Sequence, residues 1–170
     1  MASRTRSLVL NAIALLSIAH PTYSGQQSEE TLPFETIVKY VSGGGFQEGP
    51  IVHVVTDRRE WKKIWKLANR SFPSRPPLPE IDFNSRLVLA VFHGFTNGNC
   101  TTSITNIVKT ENGLVLYVKE TCPGPTCGPQ PAFISMPLEI VAIDKVDKNV
   151  RKKDPEVILD IQFIECKTTD

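Results

Sequence analysis

Excess charge of either sign is the first thing this sequence lacks. Lys and Arg number 19 against 18 Asp and Glu, a net charge of +1 over 170 residues. A chain so balanced carries no basic field that would draw nucleic acid, and it ends in no acidic tail. Histidine is scarce, at three residues, and cysteine stops at four. No G-x-S-x-G elbow, phosphate-binding P-loop, H-E-x-x-H pair or dinucleotide fingerprint occurs, so the common sequence marks of hydrolase, nucleotide and zinc-protease chemistry are missing. Internal repeats are absent too. The one long apolar run, Leu8 to Ala19, falls short of the ~20 residues that a membrane helix needs.

That run has a different meaning. Arg4 and Arg6 precede it, and small and turn-forming residues follow it, which is the layout of a secretory signal. The expected cut lies after Ser24, with Thr22 at the third position upstream. Residues 1–24 then form the signal peptide, 25–33 a flexible lead-in, and 34–170 a single domain. Loss of Arg4 and Arg6 and of no acid takes the net charge from +1 to −1. The expected product is secreted or periplasmic, with no membrane anchor after cleavage.

Most of the remainder reads as β-structure. Strands are expected over Phe34–Val41, Ile51–Thr56, Leu87–His93, Cys100–Lys109, Leu114–Glu120, Leu138–Ile143 and Val157–Cys166. Glu111–Asn112–Gly113 supplies a hairpin turn between the fourth and fifth of these. One helix interrupts the series. Asp57 can cap it and Glu60 can complete a capping box. Trp61, Ile64, Trp65 and Ala68 then share one face, with Arg58, Arg59, Lys62, Lys63 and Lys66 on the others. Both tryptophans of the chain lie on that stripe, which is best used to pack the helix on a sheet. The run from Arg70 to Phe83 holds Pro73, Pro76, Pro77 and Pro79 and reads as an extended connector. The fold class expected is α+β, mostly β: an antiparallel sheet or partly open barrel with one amphipathic covering helix.

Export decides how to read Cys100, Cys122, Cys127 and Cys166. In an oxidising compartment an even count favours bridges over metal. Only Cys122 and Cys127 are close in sequence, and His53 and His93 stand far from them, so no zinc pattern forms and neither metal nor other cofactor is expected. Pairing around Asn112 sets opposite positions adding to about 223 and brings Cys100 beside Cys122, with Cys127 left for Cys166. A Cys122–Cys127 ring with Cys100–Cys166 is the rival, and spacing alone leaves both open.

The segment LVLAVFHGFTNGNCTTSITNIV, Leu87 to Val108, frames the functional question. His93 and Cys100 flank a glycine-bearing loop, but a Cys–His pair needs a free thiol, and bridging removes it. Glu80 with Asp82, and Glu156 with Asp160, read as loop and edge charges; Asp82 suits the capping of a turn. Asn69 and Asn99 stand in glycosylation-acceptor triplets. No catalytic residue is expected. Phe95 to Asn99 reads as a glycine turn between two strands; the functional alternative makes it a binding tip displaying Phe95, Thr96 and Asn97, joined by Pro123 and Pro125 in the proline loop that follows Cys122.

Three stretches together resemble a known family. GGGFQEGPIVHVVTDRREWKKIWKLA, PEIDFNSRLVLAVFHGFTNGNCTTSITNIV and LVLYVKETCPGPTCGPQPAFISMPLEIVAI, in that order, are similar to the C-terminal domain family of the protease-complex subunit PrcB. The resemblance runs from about Gly43 to Ile143. Two positions depart from the family pattern: Gly98-Asn99-Cys100 stands where a Gly-Gly-Tyr turn is usual, and Leu138 stands where an aromatic follows proline. The resemblance implies an exported, non-catalytic interaction domain whose partner is an exported protease or another secreted protein. Two alternatives accompany it. The glycine turn resembles the tip of chagasin-type protease inhibitors, and a partly open barrel would bind a small ligand in a cavity lined by Phe92, Tyr117 and Phe133.

Overall fold

The computed structural model of the protein describes residues 29–41, 49–146 and 155–165. The expected signal peptide and the 147–154 part of the charged loop before the last strand lie outside the described residues.

Among the described residues ten strands and one α-helix follow one another: β1 (Glu30–Thr31), β2 (Phe34–Tyr40), β3 (Ile51–Val55), α1 (Arg58–Ala68), β4 (Arg86–Phe92), β5 (Thr96–Asn97), β6 (Thr101–Thr110), β7 (Gly113–Pro123), a 3-10 turn (Pro125–Cys127), β8 (Ile134–Ser135), β9 (Leu138–Asp144) and β10 (Glu156–Ile164). They assemble into two four-stranded sheets and a small pair. Sheet I has the order β1-β6-β7-β10, sheet II the order β2-β9-β4-β3, and β5 pairs with β8. The described residues are therefore mostly β with a single α-helix, and their sheets do not close into a barrel.

Burial explains the layering. Leu87, Leu89 and Val91 of β4, with Val141 and Ile143 of β9, meet Ile104, Ile107, Leu114, Leu116 and Val118 from sheet I. The alternate residues of the same two strands, Val88, Ala90, Ile140 and Ala142, meet Trp61, Ile64, Trp65 and Ala68 of α1. Sheet II is thus covered on both faces, by sheet I on one side and by the helix on the other. That is why β4 and β9 read as nearly unbroken apolar runs rather than alternating ones.

The helix forms as its sequence predicts. Asp57 Oδ1 accepts from the Arg59 and Glu60 amides at 2.8 and 2.9 Å and so satisfies two of the four free N–H groups of the first turn. The proline connector has a structural use beyond stiffness. Trp61 Nε1 donates to Pro79 O at 2.9 Å and Trp65 Nε1 donates to Pro76 O at 3.1 Å, so each buried indole finds its acceptor in that segment. Asp82 caps the next turn by accepting from the Asn84 amide and the Ser85 hydroxyl, and these bonds hold its carboxyl below the usual range.

Two features differ from expectation. Part of the lead-in is ordered: Glu30 and Thr31 pair with Lys109 and Val108, because the outer edge of β6 is open there and accepts a short strand. The last strand joins sheet I in parallel with β7, Glu156 beside Val115 through Ile164 beside Pro123, so the sheet is mixed. A parallel neighbour cannot be reached by a tight turn, and here the connection travels through β8 and β9 before returning.

Candidate functional site

The end of the sandwich farthest from the Glu111–Asn112 turn is built by a register shift. Near that turn β6 and β7 pair at positions adding to 223, as far as Asn106 with Tyr117; from Ile104 with Val118 outward the sum is 222. Thr105 is the extra residue of this bulge, and its hydroxyl donates to Tyr117 O at 3.2 Å. The shift places Cys100 directly opposite Cys122 on the inward face, and the two form a disulfide. The first expected pairing is thereby found. Cys127 is likewise not a free thiol, while Cys166 lies outside the described residues.

Against this brace sits the β5–β8 pair. Thr96 lies opposite Ser135 and Asn97 opposite Ile134. The turn that follows is closed by three contacts: Gly98 N to Phe133 O at 2.8 Å, Cys100 N to Asn97 O at 2.9 Å, and the Asn99 amide side chain to Pro131 O at 2.7 Å. Asn97 Oδ1 accepts from the Asn99 backbone amide at 3.1 Å, the self-bonding habit that suits asparagine to turns. The Phe133 ring lies over Gly98; a Cβ there would stand 1.9 Å from a ring carbon, so any larger residue would push the ring aside. Upstream, Gly94 has φ +79° and packs against the backbone of Gly49, where a Cβ would come within 2.7 Å of the Gly49 nitrogen. The Thr96 hydroxyl is hydrogen-bonded to the Glu120 carboxylate, which fixes the pair to sheet I.

The outcome is an apolar shelf. Phe95, Phe133 and Ile134 are 48, 50 and 73% exposed around a shallow depression of about 500 Å³ that Thr96 and Asn97 also line. The glycine-turn residues named from the sequence are therefore brought together with Phe133 and Ile134. Ile134 carried a sequence signal that went unused: an apolar Phe-Ile pair directly after a proline-rich loop. Pro123 and Pro125 do not join the shelf. They share its end of the sheet but lie on the β10 side, where Gly124 N bonds Ile164 O at 2.9 Å.

Behind the shelf, polar groups are buried. Glu139, only 3% exposed, points between the sheets and accepts from the Ile104 amide at 2.8 Å; burial pushes its carboxyl pKa up. His93 is pushed down to about 4, first by burial and then by the nearby charge of Lys39, so its ring is neutral at pH 7. Its Nε2, the Thr102 hydroxyl and the Ser135 hydroxyl are buried with no hydrogen-bond partner. A cleft of about 450 Å³ opens beside them, between Lys39 and Tyr40 of β2, the 98–102 segment and Pro137.

Chemical options at this end are narrow. Cys100 has no thiol to offer, so the Cys–His pair is not assembled as a nucleophile and base. Donor atoms of Cys100, Glu120 and Cys122 lie within 4.8 Å of one another, yet with the S–S bond formed neither sulfur is a thiolate to hold a cation. Asn69 is fully buried, donates to Trp65 O and accepts from the Tyr40 hydroxyl, so its triplet cannot receive a glycan in the folded state. The ligand cavity imagined from Phe92, Tyr117 and Phe133 is not built. Phe92 packs in the helix layer, Tyr117 sits on the outward side of β7, and Phe133 lies on the shelf.

Comparison of the chain with protein-family models, with curated proteins and with solved structures finds no match to any of them. Among the described residues no helix is long and apolar enough to cross a membrane.

Proposed function

We propose that this is an exported, non-catalytic interaction domain that binds a protein partner through the Phe95–Phe133–Ile134 shelf. One observation carries the reading: three large apolar side chains stand 48–73% exposed on an end braced by a disulfide. Contiguous apolar surface of this kind is what partner sites display, and bracing removes the ordering cost that a loose loop would bring to binding. The disulfide supports an oxidising compartment, and the signal-like first 24 residues support secretion or delivery to a periplasm. The resemblance to the PrcB C-terminal domains supports an exported protease, or another secreted protein, as the partner.

The test is affinity capture from the exported fraction with the wild-type protein and with a Phe133→Asp, Ile134→Asp double variant. Loss of a shelf anchor should weaken capture of the same partner by about tenfold or more, since buried aromatic anchors carry much of an interface's energy. The thermal midpoint should move little, because at least half of each side chain is already in solvent. Undiminished capture by the variant would end the shelf assignment.

A further inference from the structure

β10 is the most exposed of the long strands among the described residues: of its apolar side chains only Val157 packs against the core between the sheets. Ile158, Leu159, Ile161, Phe163 and Ile164 are 40, 44, 52, 67 and 50% exposed, on both faces of one nine-residue strand. Among the described residues β10 pairs on one side only, with β7, and its other edge is open. The remaining sheet edges carry protective devices. β1 is two residues long, β3 is five, and β2 has a bulge between Thr36 and Val38 and presents Lys39. Edge strands are usually blunted in these ways. EVILDIQFI has no proline, no lysine, no arginine and no irregularity along its ladder with β7.

We propose that this edge is a self-association surface, where β10 of a second copy of the chain adds antiparallel to extend sheet I across a two-fold axis. The occupant follows from the strand's own pattern. Directly opposite residues of an antiparallel pair lie on the same face, and a two-fold pairing needs a single residue at its centre. A ladder centred on Asp160 sets two carboxylates against each other. One centred on Leu159 sets Asp160 against Ile158, and one centred on Gln162 sets it against Ile164; either buries a carboxylate on an aliphatic chain. Within Ile158–Ile164, centring on Ile161 sets no carboxylate against a carboxylate or an aliphatic chain. Ile161 meets Ile161, Leu159 of one copy meets Phe163 of the other, Ile158 meets Ile164, and Asp160 meets Gln162, whose amide can donate to it. All five exposed apolar positions are covered in this register, and the open backbone groups of the edge are paired. The shelf is not involved, so this proposal stands apart from the one above.

Sedimentation equilibrium of the exported protein, carried up to about 100 µM so that micromolar association is seen, supplies the first readout. A concentration-dependent dimer is expected. Ile161→Lys places two ammonium groups together at the two-fold and should return the protein to monomer with its circular dichroism unchanged. The register is read separately by oxidising variants that each add one cysteine: Ile161→Cys should give a covalent dimer and Asp160→Cys should not. Phe133→Asp should remain dimeric, which separates this surface from the shelf. A monomer throughout the range overturns the proposal. So does a dimer that survives Ile161→Lys, one that cross-links through position 160 instead of 161, or one that Phe133→Asp dissolves.

Discussion

The helix layer and the disulfide end use aromatic side chains in opposite ways. Trp61 and Trp65 are 1 and 7% exposed, their rings 5.3 Å apart, and each indole N–H reaches a carbonyl of the proline connector. Asn69 there has its side chain bonded at both ends, and among the described residues of that layer His53 Nε2, beside the Phe92 ring, is the one buried polar atom without a partner. At the disulfide end the pattern inverts. Phe95, Phe133 and Ile134 face solvent, whereas three polar atoms, on His93, Thr102 and Ser135, are buried without partners. The first arrangement, His53 apart, is what stability alone selects. The second is costly on both counts, since apolar surface stays wet and polar atoms are dried without compensation. Regions that break the rules of packing in this way are where binding is to be sought.

The sharpest way to break the comparison is at the helix. Trp61→Ala should destabilise the protein by about 3–5 kcal/mol in urea unfolding, the range for emptying a buried large aromatic site. A loss under about 1 kcal/mol would mean that the helix layer contributes little to stability. Next comes the brace. Replacing Cys100 and Cys122 together by alanine releases a loop closed across 22 residues and should cost about 3 kcal/mol in the same assay. An unchanged midpoint there would show that the shelf's support lies in the β5–β8 contacts instead.

The smallest effect is one of pH. His93 is held down to about 4 in the folded chain, below the 6.5 of a free imidazole, so as pH falls from 6.5 the unfolded chain takes up a proton that the folded one refuses. Stability is therefore lost between about pH 6.5 and 4 and the loss levels off below. Glu139 acts in the other direction, because its raised pKa lets the folded state protonate first as pH falls. Comparing wild type with His93→Gln isolates the histidine. The stability difference between them should change by on the order of 2 kcal/mol across that window, to the disadvantage of wild type at low pH. A constant difference would mean that His93 is hydrated and that the end is less dry than its burial indicates.

Legibility from the sequence followed the range of the interactions involved. Asp57 as a cap, the Trp61-Ile64-Trp65-Ala68 stripe and the hairpin around Asn112 all depend on neighbours a few residues apart, and each stands where the pattern placed it. The Cys100–Cys122 bridge was nearly as legible, since it lies in the same hairpin. Its exact opposition depended on the Thr105 bulge, and nothing in SITNIV marks one residue as extra. The shelf was half legible. Glycines disclosed the turn, but β5 and β8 are two residues each, too short for any periodicity, and their pairing joins Thr96 to Ser135 across a long stretch of chain. The parallel docking of β10 had no local sign at all. Its apolar run would look the same beside any neighbour.

That parallel docking sets an order on assembly. The β6–β7 hairpin can close, and its cysteines meet, as soon as its own residues are free, because every contact is local. β10 must wait until β8 and β9 have been laid down, since β9 supplies the centre of the opposing sheet before the chain returns to β7. For a chain that folds from its N-terminal end, the strand completing sheet I is the last to arrive, and until it does β7 remains the vulnerable margin of a half-built sheet.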